Sequence, residues 1–297
     1  MTDQPRIIHE GRHEIGEGPL WHDGIGRLFW FSILEGRLFS CAADGADPRE
    51  WRLGERASAA GIIDDGSLLV ATETGLWRLD LAGGQKTLVV ALEADNPRTR
   101  SNDGRVAPDG SFWIGTMGLD HADGAGAIYR FVPELDGGRV EVVQRNVTIP
   151  NSICFAPDGR TAYWCDTKEG LIRRLPLAGD GTPDGDSVVH VDLRDEGLNP
   201  DGSVTDAEGC LWNAQWGAHR VARYDPDGRF MEAVRFPVAQ VSCPAFGGPD
   251  MTTLFATTAH EGLSPAERED AAGSLFAVET GVRGRPEARV AFGRRGA

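Results

Sequence analysis

The sequence has no Cys-x-x-Cys pair, and its five cysteines (Cys41, Cys154, Cys165, Cys210 and Cys243) are an odd number scattered along the chain. That pattern argues against a disulfide framework and against a thiolate zinc site. Basic charge is not in excess either. The net charge is −15, whereas binding to phosphate backbones needs a basic face, so neither nucleic acid nor an anionic membrane is an expected partner. No apolar run approaches the length of a membrane span. The opening MTDQPRIIHEG lacks the apolar centre of a secretory signal, and a cytoplasmic protein is expected. Sustained helical periodicity is missing as well. The nearest candidate, SPAERED at 264–270, reads as a loop insertion.

Glycine, by contrast, is abundant at 39 residues, and hydrophobic residues make up 40% of the chain. Tight turns and a sizeable core are therefore both available. The glycines mark an internal repeat. A turn followed by an aromatic or β-branched strand recurs as DGIGRLFWFS, DGSLLVAT, DGSFWIGT, DGRTAYWCDT, EGCLWNAQ and, degenerately, PDMTTLFATT. Each is followed by a second short strand, and often by a third. The anchors lie about 40 to 50 residues apart, the spacing of a β-propeller blade. The reading is all-β: one six-bladed β-propeller domain over residues 1–297. RIIHEG near the N-terminus is expected to add an outer strand to the last blade and close the ring. A pair of β-sandwiches is the alternative, disfavoured by the regular spacing.

Equivalent positions in a repeat occupy equivalent places in space. Seven residues before the turn anchors stand Glu17, Ser58, Asn102, Asn151, Asp201 and Cys243. This position begins the strand leading into the first turn, which in a propeller is the innermost strand. The six side chains should gather at one end of the central channel. Serine and cysteine there suit plain packing. Glu17, Asn151 and Asp201 do not, because two carboxylates in a confined pore repel unless a positive charge lies between them. Hard oxygen donors select a hard divalent cation. Asp201 is followed by Gly202, a few residues before the Glu208-Gly209 doublet. The second doublet is read as the hairpin, and the first as the place where glycine turns the ligand into the channel. Asp103, beside Asn102, reads as a turn or supporting residue.

The stretches GEGPLW, RSNDGRVAPDGSFWIGTM, IPNSICFAPDG and NPDGSVTDAEGCLW resemble the regucalcin/gluconolactonase, or senescence marker protein, family. The resemblance runs from about Glu14 to Gly262. It implies a six-bladed propeller, hydrolysis of sugar lactones and one divalent cation. Calcium is foremost, with zinc, manganese, magnesium and iron(II) as alternatives. The family's metal ligands fall on Glu17, Asn151 and Asp201, and its substrate contacts on Arg100 and Asn102. A further glutamate contact falls on Asp120, with a shorter side chain, and His121 is a neighbour able to replace it.

The implied chemistry is ring opening of a small sugar lactone, with a metal-activated water and with Asp201 as both ligand and acid/base. No serine stands in a Gly-x-Ser-x-Gly elbow, so a serine-triad esterase is disfavoured. The tryptophans are read as blade core, with Trp216 placed near the channel mouth. Two other functions compete: a metal-dependent esterase or phosphotriesterase on the same scaffold, and a calcium-binding propeller without turnover.

Overall fold

The computed structural model describes residues 4–135 and 137–293. The turn doublets do what their composition requires. Gly110, Gly159 and Gly209 take φ of +87°, +67° and +83°, a region open to glycine at no steric cost. Each doublet joins two short antiparallel strands. The described residues form six four-stranded antiparallel sheets, and together these make a six-bladed β-propeller. Blade one spans 16–52, blade two 57–91, blade three 99–147, blade four 150–192, and blade five 199–235. Blade six takes three strands from 241–279 and its outermost from Arg6–His9, which pairs with Leu275–Glu279. That is the N-terminal closure expected of RIIHEG. SPAERED forms turns rather than a helix.

The innermost strand of every blade touches the innermost strands of both neighbours, which closes the ring. Apolar faces meet between blades. Leu20, Phe29 and Phe31 of blade one pack with Ile62, Leu68 and Val70 of blade two, for example. Trp30, Trp113 and Trp212 are fully buried in this inter-blade core, as the sequence reading had it. Burial of each large aromatic contributes on the order of 2 to 3 kcal/mol.

After blade six the chain crosses the far end of the channel. Gly284 N–H donates to Met251 O (2.7 Å) and Val290 N–H to Ile62 O (2.7 Å). Glu287 pairs with Arg105, whose side chain comes from the innermost strand of blade three.

No helix among the described residues is long and apolar enough to cross a membrane.

Candidate functional site

Each innermost strand loses register with its neighbour at the level of the six equivalent positions. The slips fall between Glu17 and Leu20, Ala57 and Ala59, Ser101 and Gly104, Asn151 and Cys154, Pro200 and Ser203, and Val241 and Cys243. Bulges re-aim side chains. Gly18 and Ser152, directly after Glu17 and Asn151, take φ of +57° and +59°. Gly202 does not, which corrects the idea that glycine turns Asp201 into the channel. A side chain at Gly202 would lie 2.3 Å from Cys243 Sγ. The residue is glycine because the inner strands of blades five and six come this close. The doublet Asp201-Gly202 is therefore part of the strand Asn199–Thr205, not a turn.

A cavity of about 250 Å³ opens at this end of the channel. Glu17, Arg100, Asn102, Asn151 and Asp201 all line it, and all are buried. A chain of hydrogen bonds orients them. Asn151 Nδ2 donates to Thr167 Oγ1 (2.9 Å), which donates to Pro200 O (2.7 Å). This fixes the Asn151 amide so that its Oδ1 accepts from Asn102 Nδ2 at 2.9 Å. Asn102 Oδ1 in turn accepts from Arg100 Nη1 (2.7 Å), which also donates to Ser101 O (2.9 Å). Arg100 Nε and Nη2 have no acceptor among the described residues and remain available to a ligand. Below Asp201, Ser152 Oγ and Asn213 Nδ2 donate to its backbone carbonyl at 2.6 Å and 3.0 Å. The polar partners of Asp201 thus hold its backbone and leave its carboxylate facing the cavity.

The charges are poised for a cation. Burial, reinforced by the Asp103 carboxyl, raises the Glu17 pKa to about 8. Burial, then the Glu17 and Asp103 carboxyls, raise the Asp201 pKa well above the usual carboxylate range. Asp103 is pushed up to about 6 by burial, although it accepts Ile153 N–H at 2.7 Å. These shifts favour the protonated forms of Glu17 and Asp201, and a divalent cation bound between them would displace those protons. Two carboxylates and one oriented carboxamide oxygen in one buried pocket are the donor set such an ion takes.

Asp120 is not at the cavity. It is exposed, and its Oδ1 accepts Ala122 N–H at 3.1 Å. The loop turns back here through His121, at φ +55°, so it is His121 that lines the cavity. Trp216 lines it too, as expected, and so do Lys168 and Glu261, which the sequence reading missed. Both stand outside the repeated positions, on segments that follow blade strands. The one available signal was the polar pair His260-Glu261, one residue beyond the TLFATT strand.

Asp206, Glu208 and Cys210 also bring possible ligand atoms within 4.8 Å of one another. Arg223 already occupies the position of a cation there. Its Nη2 donates to Asp206 Oδ2 (2.8 Å) and Glu208 Oε2 (2.6 Å). Replacing it with leucine would leave the Asp206 side chain, which is 0% exposed, without a countercharge. Arg223→Leu is expected to cost about 3 to 5 kcal/mol, measured by denaturant unfolding, while cation stoichiometry stays unchanged.

A family model described as the SMP-30/gluconolactonase/LRE-like region matches residues 15–260. The chain belongs to this family. It is 38% identical to a putative sugar lactone lactonase of Rhizobium meliloti, with 97% of this chain and 98% of that protein aligned. To an L-arabinolactonase of Azospirillum brasilense it is 37% identical, with 99% and 97% aligned. Its fold matches that of a calcium-binding protein, regucalcin, from Agrobacterium tumefaciens, at a TM-score of 0.92 and 39% identity over 98% of both chains. The family match begins two residues before Glu17 and takes in the whole ring of equivalent positions. It ends one residue before Glu261.

Proposed function

We propose that the protein hydrolyses sugar (aldono)lactones to the corresponding sugar acids, with one divalent cation held by Glu17, Asn151 and Asp201. The observation that carries this reading is the shared cavity. Buried oxygen donors suited to a cation lie beside an arginine with unused donors and a carboxylate free of side-chain partners. The names of relatives aligned over nearly the full chain support it. Calcium is the first candidate, because the Agrobacterium regucalcin is a calcium-binding protein.

When bound, the cation supplies Lewis-acid polarisation and lowers the pKa of a water molecule. The chain's own residues do the rest. Asp201, buried and firmly held through its backbone, takes a proton from the attacking water and returns it to the ring oxygen as the ester bond breaks. Arg100 offers Nε and Nη2 to ring hydroxyls and to the oxygen that gains charge. Asn102 couples the two halves, holding Arg100 through its oxygen and Asn151 through its nitrogen. Met117, Ile149 and Trp216 give the ring an apolar wall.

A panel of sugar lactones, plain lactones, aryl esters and phosphotriesters tests the reading. Aryl ester or phosphotriester turnover above that of sugar lactones would replace it with an esterase or phosphotriesterase. Cation binding without turnover would leave a binding protein. Arg100→Ala is expected to raise KM for polyhydroxylated lactones about tenfold to hundredfold, as for a lost charged hydrogen bond, and to change it far less for an unsubstituted lactone. An equal loss on both would place Arg100 at the carbonyl instead.

A further inference from the structure

Glu261 follows the strand Thr253–Thr258 of blade six. Its backbone is pinned: Gln240 Nε2 donates to its carbonyl at 2.9 Å, and the preceding His260 N–H donates to Glu14 O at 3.0 Å. Its carboxylate accepts no hydrogen bond from any described residue, yet it lines the cavity with its side chain 32% exposed. A carboxylate held at a cavity wall without a protein donor is an open acceptor.

A side chain from the opposite rim approaches it. His121 Nε2 lies 3.9 Å from Glu261 Oε1. His121 belongs to blade three and Glu261 to blade six, which are opposed in a ring of six. The contact therefore passes over the channel axis and roofs the cavity. Lys168 Nζ holds this rim, donating to His121 O at 2.8 Å and pairing with Asp123 at 3.1 Å. The lysine charge is thereby engaged at the rim. Arg100 lies within the cavity. Burial lowers its pKa, and among the carboxylates that oppose this Glu261 acts more strongly than Glu17. A donor wall and an acceptor wall thus face each other across the cavity. A ring hydroxyl, which both donates and accepts, fits between them. A ring bearing a phosphate or sulfonate would bring its anion towards the Glu261 carboxylate.

We propose that Glu261 is a specificity-determining residue, which accepts hydrogen bonds from the hydroxyls of the bound ring and disfavours rings carrying an anionic substituent. This rests on the lactonase reading, and the test separates the two. Glu261→Gln keeps the size of the side chain but removes its charge. KM for glucono-1,5-lactone should rise about tenfold, the difference between a hydrogen bond to a charged acceptor and one to the neutral amide oxygen that remains. KM for δ-valerolactone, which has no hydroxyl, should move less than about twofold. The preference for 6-phosphogluconolactone relative to glucono-1,5-lactone should rise at least about tenfold. Binding of the unreactive 1,5-anhydroglucitol, followed by calorimetry, should weaken in parallel. Equal affinity of the two proteins for this polyol, or an equal KM change on both neutral lactones, would overturn the assignment. If wild type opens no lactone but loses polyol binding in Glu261→Gln, the lactonase reading fails and the hydroxyl-binding role stands.

Discussion

Asp201→Asn is expected to turn over lactone about 100-fold to 10,000-fold more slowly than wild type at full cation occupancy, the usual effect of losing a positioned general base. This corresponds to roughly 3 to 5 kcal/mol of barrier. Asparagine keeps an oxygen of nearly the same size at the same place, held by the same Ser152 and Asn213 hydrogen bonds to the backbone carbonyl. It cannot take a proton at neutral pH. The measurement is kcat at saturating cation, with occupancy determined directly by elemental analysis. Near wild-type kcat in a loaded, folded variant would reduce Asp201 to a ligand and assign the proton to another group. A defect confined to a rise in KM would likewise remove it from the proton path.

Glu17→Ala is expected to weaken cation affinity by at least about 100-fold, because even supporting residues around metals cost 10-fold to 100-fold. Exhaustive chelation of wild type should remove lactone hydrolysis, and readdition of a divalent cation should restore it. Full activity in protein verified as metal-free would overturn the proposed cation role. The same residue gives a second, independent signature through pH. The Glu17 pKa is raised in the fold from an ordinary 4.5 to about 8. The metal-free fold therefore binds this proton more tightly than the unfolded chain does. Its stabilising effect is complete below about pH 4.5 and is lost as pH rises through about 8, because stability falls wherever the folded state binds more protons. Glu17→Gln should flatten this decline in thermal midpoint of the metal-free protein, and so should cation binding to wild type. An unchanged slope in Glu17→Gln would show that other groups govern it.

The repeat was legible because each blade obeys the same local rules: a turn glycine, then a strand whose large residues pack against the next blade. Counting back from the turns picked out Glu17, Asn151 and Asp201, which the fold brings to one cavity. What resisted was whatever the repeat does not govern. The slip in register at each inner strand has no composition of its own, so Gly202 was read as turning Asp201 into the channel, although it lies in the strand without a positive φ. The role of Gly202 depends on Cys243, 41 positions away, and no local signal reports such an approach. Asp120 was misplaced for a related reason. Sequence adjacency to GTM puts it near the cavity, but the backbone at His121 decides which side chain faces inward. Glu261 and Lys168 reach the site from connecting segments, where length and path are free to vary between blades.

The pairing of Arg6–His9 with Leu275–Glu279 has a consequence for how the ring is assembled. The first strand of the chain finds its partner only after nearly all the rest has been made. Until then blade six has one strand fewer and an open edge, and its neighbours lack the constraint of a closed circle. Such distant pairing makes folding slow, and an uncovered edge invites pairing with other chains. The segment after blade six ties down as well, from Gly284 at Met251 to Val290 at Ile62. Both segments are therefore docked late, Arg6–His9 at the outer edge of blade six and 284–290 across the far end of the channel. Once they are, opening the ring must also break these contacts, so the late step that slows assembly also guards the finished ring.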